Sequence, residues 1–397
     1  MLNKKKKIDV VVKYFYPVTA GIETNVMETY SVLAKNGWDV TIHTSNDVYM
    51  KKGVLPSYEK IRGIKVKRYP FNKFGYFPEI EWKNTDAVAL HNFDIFPHLR
   101  LLLYVLLLKV TRRKNFALFL TPHGGFNPEW RVFSKIQAIV KSTYHFTIGT
   151  LLINLVVDGV RAVSNWEGEE MLKKGLQKSI VKVIPNGVED EAYKDMNKMA
   201  STEIKQRVKS FGKYIIQIGR IYPIKNYETT IKALPLIPST IKFVIVGPIA
   251  DQKYADSLVA LAKDLGVEKR VVFFGIIRGI DKYYLIKQAQ LMVHMAIWES
   301  FCNVVHEGLS QGLVCLVANN TALPYLIKNG TNGYCIETTD SKALADKINY
   351  VLVNKASPKI IKMKKLNRIY GLEYSWKKVA MEMNSFYRTT IKTIYGR

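Results

Sequence analysis

A small set of acidic, basic and imidazole side chains in this 397-residue sequence stands out by type and spacing. Glu299 and Glu307 bracket the stretch Trp298-Glu-Ser-Phe-Cys-Asn-Val-Val-His-Glu-Gly-Leu-Ser-Gln-Gly312, with seven residues between them. Ionised carboxylates are acceptors only, which suits them to sugar hydroxyls. Arg220 and Lys225 follow the apolar run Tyr214–Ile218 and Gly219, so two cations stand at one strand-to-helix turn. A leaving diphosphate gains negative charge as its bond breaks, and preplaced cations stabilise that gain most. Ser300, Phe301, Cys302 and Asn303 add backbone N–H groups at an expected helix start, where anions bind without side-chain help. His123 closes the strand-like run before Gly124-Gly125. Each feature also has a plain structural reading: two surface acids, a surface salt bridge, a structural histidine. Their joint occurrence is what points to chemistry.

Those groups need elements to hold them. Ile8–Val12, Val40–Thr44, Ile64–Tyr69 and Ala87–His91 are short apolar strands, and the helical stretch Thr24–Asn36 separates the first two. In the second half, Tyr214–Ile218, Ile241–Gly247, Val271–Ile276, Leu291–Ala296 and Leu313–Ala318 repeat the alternation with helices. This predicts an α/β chain with parallel, doubly wound sheets that bind ligands beyond the carboxyl ends of their strands. Gly21, between the first strand and helix, is placed either to let backbone N–H groups approach a phosphate or simply to make a tight turn. The length predicts two domains. The polar, lysine-rich run Glu189–Lys213 is the expected linker, giving domains 1–195 and 196–374.

Composition narrows the partners. Hydrophobic residues at 48% and charged residues at 23% describe a folded globular chain. Cys302, Cys315 and Cys335 lack CxxC or Cys/His clustering, which argues against a disulfide framework or zinc site and for a reducing compartment. The net charge of +26 predicts attraction to polyanions. Nucleic acid is the weaker choice, because no zinc-finger spacing, arginine-rich arm or aromatic RNP-like strand is present. The lysine-rich start, Met1–Lys7, is followed by too short an apolar run for a signal peptide. Residues 96–157 carry eight cations (Arg100, Lys109, Arg112, Arg113, Lys114, Arg131, Lys135, Lys141) against one acid, Glu129, and are otherwise strongly apolar. They read as core helices with solvated flanks or as a surface for an anionic membrane; the second is favoured. The apolar run closed by Arg100 and Lys109 is far short of the roughly twenty residues that span a bilayer. The expected location is cytoplasmic and peripheral, on the inner face of the cell membrane.

The segments Ile184-Pro-Asn-Gly-Val188, Gly219-Arg-x4-Lys-Asn226 and Glu299-x7-Glu307, in this order, resemble retaining glycosyltransferases of family 4 (glycosyl transferases group 1). The resemblance implies two facing Rossmann-like domains, the glycosyltransferase-B fold, with a last helix, 375–397, returning to the first domain. It implies that Glu307 grips the ribose of a nucleotide sugar and that Glu299 lies against the transferred sugar. His123 would contact that sugar near the reacting carbon, Arg220 and Lys225 would hold the diphosphate, and backbone around Ile276 would meet the base. His123, Glu299, Arg220 and Lys225 are thus the catalytic candidates. Gly21, Ile276, Phe301, Cys302, Asn303 and Glu307 are the donor-binding ones. The chain departs from the family pattern at Ala20-Gly21 (usually two glycines), Cys302 (usually glycine) and Tyr325 (usually glutamate).

The expected function is retaining transfer of a sugar from a nucleotide-diphosphate sugar to a glycan or lipid-linked acceptor, in cell-surface polysaccharide or glycolipid synthesis. No Asp-x-Asp pair stands as a metal-diphosphate site, so neither metal nor other cofactor is expected. A nucleotide-sugar epimerase or hydrolase on the same architecture, or a non-catalytic polyanion- or membrane-binding protein, are the alternatives.

Overall fold

The structure, a computed structural model, describes residues 5–18, 20–47, 54–130 and 133–396. Met1–Lys4 of the basic N-terminus and Arg131 lie outside the described residues. The chain divides into two compact units, residues up to Gly187 with Trp376–Arg397, and Val188–Ser375.

The first unit is built on an eight-stranded sheet. Its strands are β1 (Lys6–Val11), β2 (Trp38–Ser45), β3 (Tyr58–Ile61), β4 (Ile64–Tyr69), β5 (Ala87–His91), β6 (Ala117–Thr121), β7 (Gly159–Ala162) and β8 (Val181–Val183). They lie in the order β3-β4-β2-β1-β5-β6-β7-β8, and only the β3–β4 pair is antiparallel. β5 and β6 are buried at every residue, as strands covered by helices on both faces must be. β4 near the edge alternates buried and half-buried positions. The order reverses at β1, which lies between β2 and β5. Such a switch point leaves a crevice at the carboxyl ends, and a cavity of about 210 Å³ opens there, lined by Val12, Lys13, Tyr14, Ile22, Glu23, Asn92 and Asp94. The last helix, Trp376–Tyr395, packs on the helix Gly21–Lys35 and buries Trp376, Val379, Ala380, Met383, Tyr387 and Ile391.

The second unit has six parallel strands. They are β9 (Lys213–Ile218), β10 (Ile241–Val246), β11 (Val271–Gly275), β12 (Met292–His294), β13 (Cys315–Ala318) and β14 (Gly333–Ile336), in the order β11-β10-β9-β12-β13-β14. Its switch point falls between β9 and β12, the two strands that lead into Arg220 and Glu299. The strand order therefore explains why residues so distant in sequence converge.

The expected linker is not one. Within 189–213 lie turns and helices at Asp190–Tyr193, Met196–Met199 and Thr202–Phe211. Ala192, Met196, Ile204, Val208 and Phe211 are buried in the core of the second unit. The polar residues of that run are simply the outer faces of packed helices, and the crossover between units falls at Gly187–Val188. Among the described residues, no helix is long and apolar enough to cross a membrane.

Candidate active site

In the second unit, β9 ends at Ile218 and the chain turns through Gly219. A Cβ on Gly247, at the end of β10, would lie 2.0 Å from the Gly219 carbonyl oxygen, so the two loops approach only because residue 247 is glycine. Tyr227 donates its hydroxyl to Gly219 O at 2.7 Å, fixing the turn from the other side. Arg220 is exposed just beyond. Lys225 closes a 3-10 turn, Pro223–Lys225, and its carbonyl accepts from Gln217 Nε2 at 2.7 Å. Asn226 takes a left-handed conformation, φ 50°, and donates to Met295 O and Thr338 O at 2.9 and 2.8 Å. These bonds pin the start of one helix against the end of β12.

Glu299 follows β12 on the loop that this arrangement supports. Its N–H donates to Thr321 Oγ1 at 3.0 Å, and its carbonyl accepts from Ala322 N at 3.2 Å. Its carboxylate meets Lys225 Nζ at 2.5 Å and His294 Nε2 at 2.8 Å, both on Oε1. Burial would raise this carboxyl, but the Lys225 ammonium and the His294 imidazole outweigh it and hold the group down at about 2. Burial also lowers the pKa of His294, so the ring is neutral and donates Nε2–H to Glu299. The result is an ionised carboxylate beside an ammonium that has further N–H donors.

The next helix, Asn303–Ser310, begins at Cys302. Cys302 adopts φ 77°, a left-handed conformation that costs a residue with a Cβ roughly 1–2 kcal/mol. Cys302 and Phe301 are buried, and the Cys302 thiol is pushed well up by burial and by Glu299, so it stays protonated. Glu307 lies on the helix. Its Oε1 meets Lys282 Nζ at 3.1 Å, and the same ammonium meets Glu189 Oε2 at 2.7 Å. Glu307 Oε2 is buried without a partner. Burial pushes the Glu307 carboxyl up, and Glu189 adds to this, while Lys282 opposes it. An acceptor oxygen left in that state is suited to a ligand hydroxyl.

Lys225 and Glu299, expected on separate grounds, are thus in direct contact. Ile276 is exposed just past β11. Tyr325, standing where the resembled family has glutamate, is partly exposed on the short helix Leu323–Leu326. His294, Lys282 and Glu189 were not expected. His294 was readable as a polar residue inside an apolar strand, which must find a partner; nothing local marks Lys282.

In the first unit, Gly21 is the exposed first residue of the helix Gly21–Lys35 and does not need a positive φ. His123 lies two residues past β6 with φ 53°, next to Gly124 at φ 89°. The Gly124 N–H donates to the buried carboxylate of Glu167, which also accepts from Val163 N at 2.7 Å. Asn186 and Gly187 have no positive φ. The fully buried Arg161 instead binds the Ile184, Pro185 and Asn186 stretch, donating to the first two carbonyls at 2.9 Å and to Asn186 Oδ1 at 3.0 Å. Among the described residues this guanidinium is satisfied by backbone and amide oxygens. One possible ligand set for a metal, His294, Glu299 and Cys302, has its donor atoms within 4.8 Å of one another. The Lys225 ammonium already neutralises Glu299, so the donor set does not call for a cation.

Two α/β units of parallel strands, each broken by a switch point, define the glycosyltransferase-B fold. A crystal structure of Anabaena Alr3699/HepE in complex with UDP and glucose superposes with a TM-score of 0.74 at 18% identity, covering 97% of this chain and all of that one. The profile of Glycosyltransferase Family 4 matches residues 19–192, and that of Glycosyl transferases group 1 matches 200–368. The chain belongs to these glycosyltransferases and is a glycosyltransferase. It is 29% identical over 218 residues to an uncharacterised glycosyltransferase of Methanocaldococcus jannaschii, an alignment spanning 53% of this chain and 55% of that one. It is 23% identical over 340 residues to the GPI3 subunit of phosphatidylinositol N-acetylglucosaminyltransferase of Saccharomyces cerevisiae, spanning 83% of this chain and 71% of that one.

Proposed function

We propose that the chain transfers a sugar from a nucleotide-diphosphate sugar with retained anomeric configuration and without a metal. The observation that carries this is the Lys225–Glu299 pair at the β9/β12 switch point, with the Lys282-held Glu307 on the helix that follows. Glu307 accepts hydrogen bonds from the ribose, and Glu299 from the transferred sugar. Backbone at Phe301, Cys302 and Asn303 approaches the donor, and backbone at Ile276 meets the base. Arg220 and Lys225 stabilise the diphosphate as the anomeric C–O bond breaks and its electron pair moves to phosphate oxygen. The acceptor hydroxyl attacks from the face that the nucleotide leaves, and its proton passes to the departing phosphate. In the first unit, His123 and the helix start at Gly21 are the proposed substrate-contacting groups. The UDP held by the HepE relative supports a nucleotide donor. Transfer by wild-type protein in the presence of EDTA, with retained configuration by proton NMR, is the expected result. Arg220→Ala should lower turnover about a hundredfold, as removal of a transition-state charge partner does. Near-normal turnover of bound donor would remove the diphosphate role.

The acceptor is a lipid-linked or anionic glycan, approached at an anionic membrane. Leu103, Leu107 and Val110 are exposed at one helical face of His98–Val110, as are Ile136, Ile139 and Val140 on Lys135–Tyr144. Exposed Arg100, Lys109, Arg112 and Arg113 accompany the first face. Apolar anchoring with flanking cations is what interfacial helices require. The phosphatidylinositol named for the yeast relative supports a lipid acceptor. The cavity at the β1/β5 switch point, with Glu23, Asn92 and Asp94, suits the acceptor's hydroxyls. Sedimentation with vesicles containing phosphatidylglycerol, but not with pure phosphatidylcholine vesicles, is expected; equal partition would exclude the anionic surface.

A further inference from the structure

A chain of buried side chains in the first unit ends at His123. Tyr387, on the last helix, lies 2.7 Å from Tyr30 by their hydroxyls. The Tyr30 hydroxyl lies 2.9 Å from His91 Nε2, and His91 Nδ1 lies 2.9 Å from His123 Nε2. Tyr30, His91 and Tyr387 are at most 1% exposed, and only His123 is within reach of solvent. From these contacts we propose that Tyr30, His91 and Tyr387 are positioning residues that place the His123 proton on Nδ1, leaving that N–H as the donor offered to an oxygen of the substrate. This rests on the reading of His123 as a substrate contact.

The argument is one of donors and acceptors. Burial, then His123 and Arg161, lowers the pKa of His91 well below the usual histidine range. Burial and Arg161 bring His123 down to about 3. Both rings are neutral, so each has one N–H and one bare nitrogen. A phenol is a stronger acid than a neutral imidazole N–H, and the imidazole nitrogen is the better acceptor. The Tyr30 O–H therefore donates to His91 Nε2. His91 must then carry its proton on Nδ1 and donate to His123 Nε2. His123, its Nε2 occupied as an acceptor, must carry its own proton on Nδ1. The Tyr387 hydroxyl donates to Tyr30 oxygen, which commits the Tyr30 proton to His91. His123 is held in a left-handed backbone conformation whose neighbour Gly124 is tied to Glu167, so ring and tautomer are fixed together.

The test is two-bond proton–nitrogen correlation of imidazole-labelled full-length protein at pH 7, on wild type and Tyr30→Phe, with the backbone amide spectrum as the check on folding. Wild-type His123 should show protonated Nδ1 and bare Nε2. Tyr30→Phe should leave the fold intact and mix the two tautomers in both His91 and His123. In the transfer assay it should lower kcat/KM about tenfold, the worth of one misdirected hydrogen bond. A wild-type His123 protonated on Nε2, or tautomers unchanged in folded Tyr30→Phe, overturns the proposal. Tautomers that mix while kcat/KM holds overturn instead the reading of His123 as a substrate contact, and with it the catalytic purpose of the chain. If Tyr30→Phe does not fold, Tyr387→Phe gives the same readout at the far end of the chain. Tautomers unchanged there would equally overturn the role of Tyr387.

Discussion

Two carboxylates, the buried Glu167 and the largely enclosed Glu299, one in each unit, have moved in opposite directions. Glu299 is held at about 2, whereas burial pushes Glu167 up to about 7. Both are enclosed by protein, so desolvation alone does not separate them. Glu299 faces an ammonium at 2.5 Å and an imidazole N–H at 2.8 Å. Among the described residues Glu167 accepts from the backbone N–H groups of Val163 and Gly124, with Arg161 contributing less than either. A full positive charge in contact overcomes burial; two peptide dipoles do not. The second unit thus keeps Glu299, the proposed sugar contact, charged. The first uses a carboxyl that titrates near neutrality to hold the backbone beside His123.

Lys225→Met should have the largest effect, because it turns Glu299 into a group like Glu167. Breaking a buried pair from one side costs about 3 kcal/mol, and transfer should fall with it by at least a hundredfold. Carboxyl carbon NMR should show Glu299 titrating upward toward the Glu167 value. A Glu299 that still titrates near 2 would break the comparison.

The pH dependence follows with opposite signs. For Glu299 the folded value lies below the ordinary 4.5, so its stabilisation is complete above pH 4.5 and is lost as pH falls toward 2. For Glu167 the folded value lies above 4.5, so stability is highest below pH 4.5 and declines as pH rises through 7. Each shift corresponds to about 3 kcal/mol over its window. Urea unfolding of Glu167→Gln should show a weaker decline between pH 4.5 and 7 than wild type. An unchanged slope there would assign that decline to other groups.

Lys282→Met should do less to stability, about 2 kcal/mol, because Glu307 is already pushed toward its neutral form by burial and Glu189. Its main effect should be on nucleotide affinity. Equal affinity in the variant would show that Lys282 does not orient Glu307.

The parts legible in the sequence were those whose chemistry is contiguous. Arg220, Lys225 and Glu299 sit in turns that follow apolar strands, and Glu307 on the helix just beyond, so their elements could be read with them. The expected linker was misread because lysines dominate its composition. Yet Ile204, Val208 and Phe211 recur at helical spacing and are buried. Lys282 and Arg161 were not legible, because their importance arises from what distant segments bring to them. Arg161 binds a stretch more than twenty positions on, and Lys282 joins Glu189 to Glu307. Cys302, standing where glycine is usual in the resembled family, takes the left-handed conformation all the same.

The most direct measurement is calorimetric titration of the full-length chain with UDP, GDP and ADP, on wild type and on Glu307→Leu. The account predicts saturable binding of one of these nucleotides by wild type. Loss of the ribose hydrogen bonds should weaken it at least about tenfold in the variant. Binding of none of the three, or equal affinity in both proteins, would contradict it.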